Sequence, residues 1–200
     1  MERNSLGLLI TKTEKEMAEK LSSNAPEYIS VSNAGVVLLT PWFVRLFSML
    51  ELLNEDKKDF KNMESRIRAI FIIQRLVTFE DRVYEEKELV FNRILVDCPF
   101  SEPLPAKMEL TEKELETVES MLNGVKGNWD KMRNTSIKGF QLNFIERSGH
   151  IEQQEDKWHL SVDARSYDIL LDSLPWPYSL VRLPWVKKQI HVSWRTRSEF

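Results

Sequence analysis

The residues able to do chemistry are few. The chain has three histidines, His150, His159 and His191, and one cysteine, Cys98. A polar turn, Gln154-Glu155-Asp156-Lys157, lies between Ile151 on one side and Trp158, Leu160 and Val162 on the other. If the chain reverses at Glu155-Asp156, His159 stands opposite Glu152 and His150 opposite Ser161. Imidazole beside carboxylate is the raw material of metal ligation. That needs the right register, and the sequence offers no supporting motif. There is no H-E-x-x-H, no G-x-S-x-G, no G-x-G-x-x-G and no G-x-x-x-x-G-K-[ST]. The expectation is therefore no metal, no cofactor and no enzyme.

Two further groups have a chemical and a structural reading. Asp168 and Asp172 lie at i,i+4 with Asp163 just upstream. They could form an acid–base pair, but the preferred reading is that Asp163 or Ser166 caps a short helix and Asp168 sits in its first turn, where the dipole favours a carboxylate. Trp158, Trp176, Trp185 and Trp194 could form a stacking platform. Tryptophans beside Leu-Pro are more often core or interface residues, and that reading is preferred. Cys98, within Asp97-Cys98-Pro99, reads as a buried inert thiol, and one cysteine excludes an internal disulfide framework and fits a reducing compartment.

These residues converge on one stretch, Leu174 to Trp194, which contains Leu-Pro-Trp twice, at 174–176 and 183–185. Pro175, Pro177 and Pro184 exclude a helix, and Pro175 and Pro177 exclude a central strand. Such an apolar segment is expected to run extended across a hydrophobic surface and end in a short strand, Ile190 to Trp194. Its candidate partner-binding residues are Trp176, Arg182, Trp185 and Trp194.

The elements that must position this stretch are mostly helical. Residues 1–30 read as a weakly structured segment or linker, with Glu16 and Lys20 at i,i+4 in a short charged helix. Asn33 is placed to cap a turn through Val36-Leu39, and Thr40-Pro41 to open a second helix carrying Phe43, Leu46, Phe47, Leu50 and Leu53 on one face, with Arg45 at its rim. Asn62 or Ser65 opens a helix to about Thr78, punctuated by Arg66, Arg68 and Arg75. Leu89 to Val96 forms the apolar end of another. Thr111-x-x-Glu114 is a capping box for a helix with Leu115, Val118, Leu122 and Val125 on one face, weakened late by Gly124 and Gly127. Asn134-Thr135-Ser136 starts a helix that buries Phe140, Phe144 and Ile145, and Tyr167–Leu174 is a further short one. After Gly149 the period falls from 3.6 to 2, so the hairpin plus the terminal strand should make a small antiparallel sheet. The fold class is α+β, a mainly helical single domain over 31–200.

Composition agrees. With 200 residues and 42% hydrophobic content, the chain can bury roughly 70% of its unfolded surface without a disulfide or metal. A net charge of −3 and a pI near 5.8 give no reason to expect nucleic acid. The longest apolar run, Val36 to Leu53, is broken by Pro41, Arg45 and Glu51, so no membrane insertion is expected.

Three stretches carry a further, joint signal. The first is Asn33-Ala34-Gly35-Val36-Val37-Leu38-Leu39 with Pro41, Phe43, Arg45, Leu46 and Phe47. The second runs from Arg68-Ala69 to Leu76, then Glu88 to Leu95 and Glu102-Pro103. The third is Trp129, Asn134-Thr135-Ser136, Phe144, Arg147, Gly149, Asp168 to Asp172, both Leu-Pro-Trp triplets and Val192-Ser193-Trp194. Taken together, these stretches resemble the C-terminal region of the tape-measure proteins of contractile injection systems, over roughly residues 31–194. The resemblance carries expectations about function. It implies a structural role: a tape measure occupies the lumen of the inner tube during assembly and sets the tube's length. It also implies partners among inner-tube, hub, spike or baseplate proteins, with self-association as a further option. The implied location is the cytoplasm during assembly and then the particle interior. A fully helical chain of this length would reach only about 300 Å, and the prolines shorten it further. The expectation is thus an anchoring module without its ruler, as a fragment, a separately encoded module or a short relative. The alternative is a chaperone-like or regulatory binding module acting outside the particle.

Overall fold

The hairpin read from the sequence lies at the centre of a larger sheet. The computed structural model describes residues 28–194; the helix suggested by Glu16 and Lys20 falls outside them. Strands β1 (Ile29–Val31), β2 (Gly149–Gln153), β3 (Lys157–Val162), β4 (Leu180–Val181) and β5 (Gln189–Ser193) form one sheet in the order β1-β2-β3-β5-β4. The register of β2 against β3 pairs Glu152 with His159 and His150 with Ser161, as the turn position predicts. The terminal strand does join the hairpin, but parallel to β3, so the sheet is mixed rather than purely antiparallel. A parallel neighbour requires a long crossover, and the chain between Val162 and Gln189 provides it. Strands β1 and β4 are too short, at three and two residues, to leave a periodic signal.

Alternation fixes which face of the sheet is buried. Val31, Ile151, Trp158, Leu160, Val162, Ile190 and Val192 turn inward, while Ser30, His150, Glu152, His159, Ser161, His191 and Ser193 turn out. One buried core joins this inner face to the helices α1 (Phe43–Met49), α2 (Met63–Val77), α3 (Val90–Leu95), α4 (Glu112–Asn128) and α5 (Ile137–Phe140). This confirms the α+β class. Asn62 caps α2 by accepting from Ser65 N, and the Thr111–Glu114 capping box is formed at α4.

Several local expectations change. Residues Ala34–Trp42 form one 3₁₀ segment through Pro41, not two α-helical turns. Asn33 does not cap it with its side chain, because its amide is drawn 2.8 Å from Asn92 Oδ1 in the interior. Thr40 Oγ1 donates to Val37 O instead of capping α1. After α5 the chain widens into a π-helical turn, Gln141–Ile145, and Ser166–Ser173 is 3₁₀ rather than α. The Arg66, Arg68 and Arg75 side chains are not a free basic stripe. Arg66 pairs with Asp59, Arg68 Nη2 lies 2.6 Å from Glu114 Oε2, and Arg75 donates to Phe79 O at 2.5 Å. Cys98 is buried, and burial pushes its thiol pKa up, as an inert cysteine requires.

Candidate interaction surface

The Leu174–Trp194 stretch crosses the helical layer and is fastened there by its tryptophans. Each indole N–H finds an acceptor, the condition for burying this side chain at low cost. Trp176 Nε1 donates to Leu38 O at 3.0 Å, on the 3₁₀ segment. Trp185 Nε1 donates to Leu95 O at 3.0 Å, at the end of α3. Its ring sits 5.0 Å from Phe60 and 5.7 Å from Phe47, joining the second triplet to α1. Trp194 Nε1 donates to Asp168 Oδ2 at 3.1 Å. The segment is therefore a belt that ties the 3₁₀ segment, α1, α3 and the sheet together.

Trp194 reaches into a buried ion pair absent from the sequence reading. Arg147 is fully buried and Asp168 is 2% exposed. The guanidinium is bidentate, with contacts of 2.6 and 2.8 Å to the carboxylate, and also donates to Asp163 O at 2.6 Å. Asp168 reaches back to accept from Arg165 N at 2.8 Å, so it caps its own segment, the role expected of Asp163 or Ser166. Burial pushes the Asp168 pKa up, but hydrogen bonds from Arg147, Arg165 N and Trp194 outweigh it and hold the carboxyl below its ordinary range. Arg93 is a second buried cation, held by Glu86 Oε1 at 2.5 Å and by Pro99 O and Glu102 O at 2.7 and 2.8 Å. Sequence periodicity cannot reveal such arginines. The only signal is that Arg93 lies inside the largely apolar run Leu89–Val96.

The four candidate partner-binding residues are thus distributed unequally. Trp185 and Trp194 are 5% and 3% exposed and belong to the core. Trp176 is half-buried and meets the half-buried Trp42 edge to face, with ring centres 4.6 Å apart. Arg182 is exposed between β4 and the second triplet. On the surface of α1 below Trp42 stand exposed Arg45 and Met49. Beside Trp185 opens a cleft of 680 Å³ whose walls include Met63, Ile94, Phe100, Trp158, Lys187 and Lys188. The sequence reading names Trp176 and Arg182 as candidates but not the pairing of Trp176 with Trp42, which lies far upstream.

Among the described residues no group of histidines, cysteines and carboxylates is arranged to hold a metal ion, and no helix is long and apolar enough to cross a membrane. Several of the residues carrying the family likeness are buried in this packing: Asn33, Gly35, Arg93, Arg147, Asp168, Trp185 and Trp194. The model of the contractile injection system tape measure protein family matches residues 7–194, and the chain belongs to that family, which is a structural one. No curated protein and no solved structure is similar enough to the chain to match it.

Proposed function

We propose that the chain is the anchoring module of its tape-measure family, with residues 31–200 as the docking domain and residues 1–30 leading into it. It docks to hub, spike or inner-tube protein after assembly in the cytoplasm, and then resides inside the particle. The observation that carries this reading is the half-buried Trp42–Trp176 pair beside exposed cationic and apolar side chains, the composition of an interface hot spot. In this reading Trp176 and Arg182 touch the partner, while Trp185 and Trp194 hold the belt in the shape that presents them. The role is supported by family membership and by a fold whose interior is spent on rigidity.

The test is a pull-down of hub, spike and tube proteins with the wild-type chain, with Trp42→Ala and Trp176→Ala, and with Arg182→Glu. Loss of capture by folded variants supports docking through this surface. Undiminished capture removes it. Absence of the chain from purified particles would favour the chaperone-like or regulatory alternative.

A further inference from the structure

The outward face of the sheet carries an arrangement that the belt does not use. His159 Nδ1 lies 3.2 Å from Glu152 Oε1, and His159 Nε2 lies 2.8 Å from Ser193 Oγ. An ionised carboxylate only accepts, so the proton resides on Nδ1. Nε2 then holds a lone pair and the serine hydroxyl donates into it. Gln154 Nε2 donates to the same Glu152 oxygen at 2.8 Å. Hydrogen bonds from Gln154 and His159 hold the Glu152 carboxyl below its ordinary range, so it is an anion at neutral pH.

Three strands create this alignment. Glu152 and His159 are cross-strand partners on β2 and β3, and Ser193 on β5 is the partner of Ser161, two residues along β3 from His159. The parallel register of β5 is essential to it, since it sets Ser193 beside the far ring nitrogen. Ser193 is exposed. The other titratable groups turned to this face are His191, the register partner of His159, His150 on β2, which packs against the Tyr28 ring, and Lys157 at the start of β3.

We propose that Ser193 is an activated nucleophile, with His159 as its general base and Glu152 as the positioning residue, reactive toward acyl or phosphonyl centres that carry a good leaving group. A hydroxyl, an imidazole and a carboxylate in this hydrogen-bonded order are recognised by geometry and role, whatever the fold. In the acyl case, Ser193 Oγ bonds to the carbonyl carbon and its proton passes to His159 Nε2. The bond to the leaving group breaks, with the electron pair departing on that group. Glu152 faces the imidazolium that forms. The imidazolium gives that proton to the departing group; water then attacks the acyl-serine and gives a proton to the freed His159 Nε2, which returns it to Ser193 Oγ as the carboxylic acid leaves. The face is open, so the reactivity rests on base assistance, about 10²- to 10⁴-fold. Unactivated esters and amides lie beyond it. This property is additional to the assembly role.

The test uses the full chain and a fluorophosphonate probe, with peptide mapping by mass spectrometry. Labelling forms the Oγ–P bond, expels fluoride and sends the proton to His159. Ser161 lies on the same face and is the internal control. The expected result is labelling of Ser193 at least about 10-fold faster than Ser161, lost in Ser193→Ala and His159→Gln and unchanged in Ser161→Ala. Glu152→Gln should still label, with its rate–pH profile displaced to lower pH because the imidazolium has lost its anion. Equal labelling of Ser193 and Ser161, full labelling of His159→Gln, or an undisplaced profile in Glu152→Gln would overturn the proposal.

Discussion

The guanidinium of Arg147 lies 5.0 Å from the ring centre of Trp194, while both side chains bond the carboxylate of Asp168. One residue from the end of the helical layer, one from the crossover and one from the end of β5 are thus locked together. A buried pair of this kind is weak evidence for stability in itself, but losing one partner strands the other. Asp168→Asn leaves Arg147 unpaired and should cost about 3–5 kcal/mol. Trp194→Phe, which keeps the ring and loses one donor, should cost only about 1–2 kcal/mol. Urea unfolding of both variants checks the order.

Gly35 has no room for a side chain. A Cβ there would stand 1.7 Å from Phe144 O and 2.8 Å from Ile145 Cα, both backbone atoms. The 3₁₀ segment can cross the π-helical turn only because this position is bare. Gly35→Ala should therefore destabilise by on the order of 3 kcal/mol or more, or prevent folding, because backbone cannot step aside as a side chain can. Yield and thermal denaturation report it.

Gly124 and Gly127 make the opposite case. Both lie within α4, with no atom within 4 Å of an added Cβ. Alanine at either should stabilise by about 0.5–1 kcal/mol, through lower entropy in the unfolded chain. For a domain this size each should raise Tm by about 1–4 °C. No change in Tm would mean that helix propensity does not limit this helix.

Acid should loosen the fold from identifiable points. The carboxyls of Glu114 and Asp168 are both held below their ordinary range, in each case against the upward push of burial, by Arg68 and Thr111 around Glu114 and by Arg147 around Asp168. A group whose pKa is depressed on folding stabilises fully above its unfolded value. That contribution is lost as pH falls through the folded value. Burial pushes the Glu146 carboxyl up, so its ionisation disfavours the folded state at neutral pH and acid relieves it. Stability measured from pH 6 downward should fall below the ordinary carboxylate range. In Glu114→Gln the fall should be shallower and the neutral-pH stability lower.

How much of this was legible depended on whether the signal was local. Caps and strand alternation are local, so the Asn62 cap of α2, the Thr111–Glu114 box and the pairings of His159 with Glu152 and His150 with Ser161 could all be read from neighbouring residues. The parallel placement of β5 could not, because either direction leaves Ile190 and Val192 inward. The burial of Arg93 and Arg147 could not be read either, because it depends on acceptors supplied by loops further along the chain. The belt was visible as a proline-rich apolar stretch. That its first tryptophan meets Trp42, and its last meets Asp168, is tertiary information.

Whether the surface around Trp176 anchors the chain in the particle is decided by quantitative mass spectrometry of particles assembled with wild-type chain or with the double substitution Trp176→Ala and Arg182→Glu. Circular dichroism must first show that the isolated variant is folded. The wild-type chain should copurify with the particle and the folded variant should be depleted about tenfold or more, the effect of losing about 1.4 kcal/mol or more of docking energy. Wild-type particles that lack the chain, or variant particles that retain it in full, would contradict anchoring by this surface.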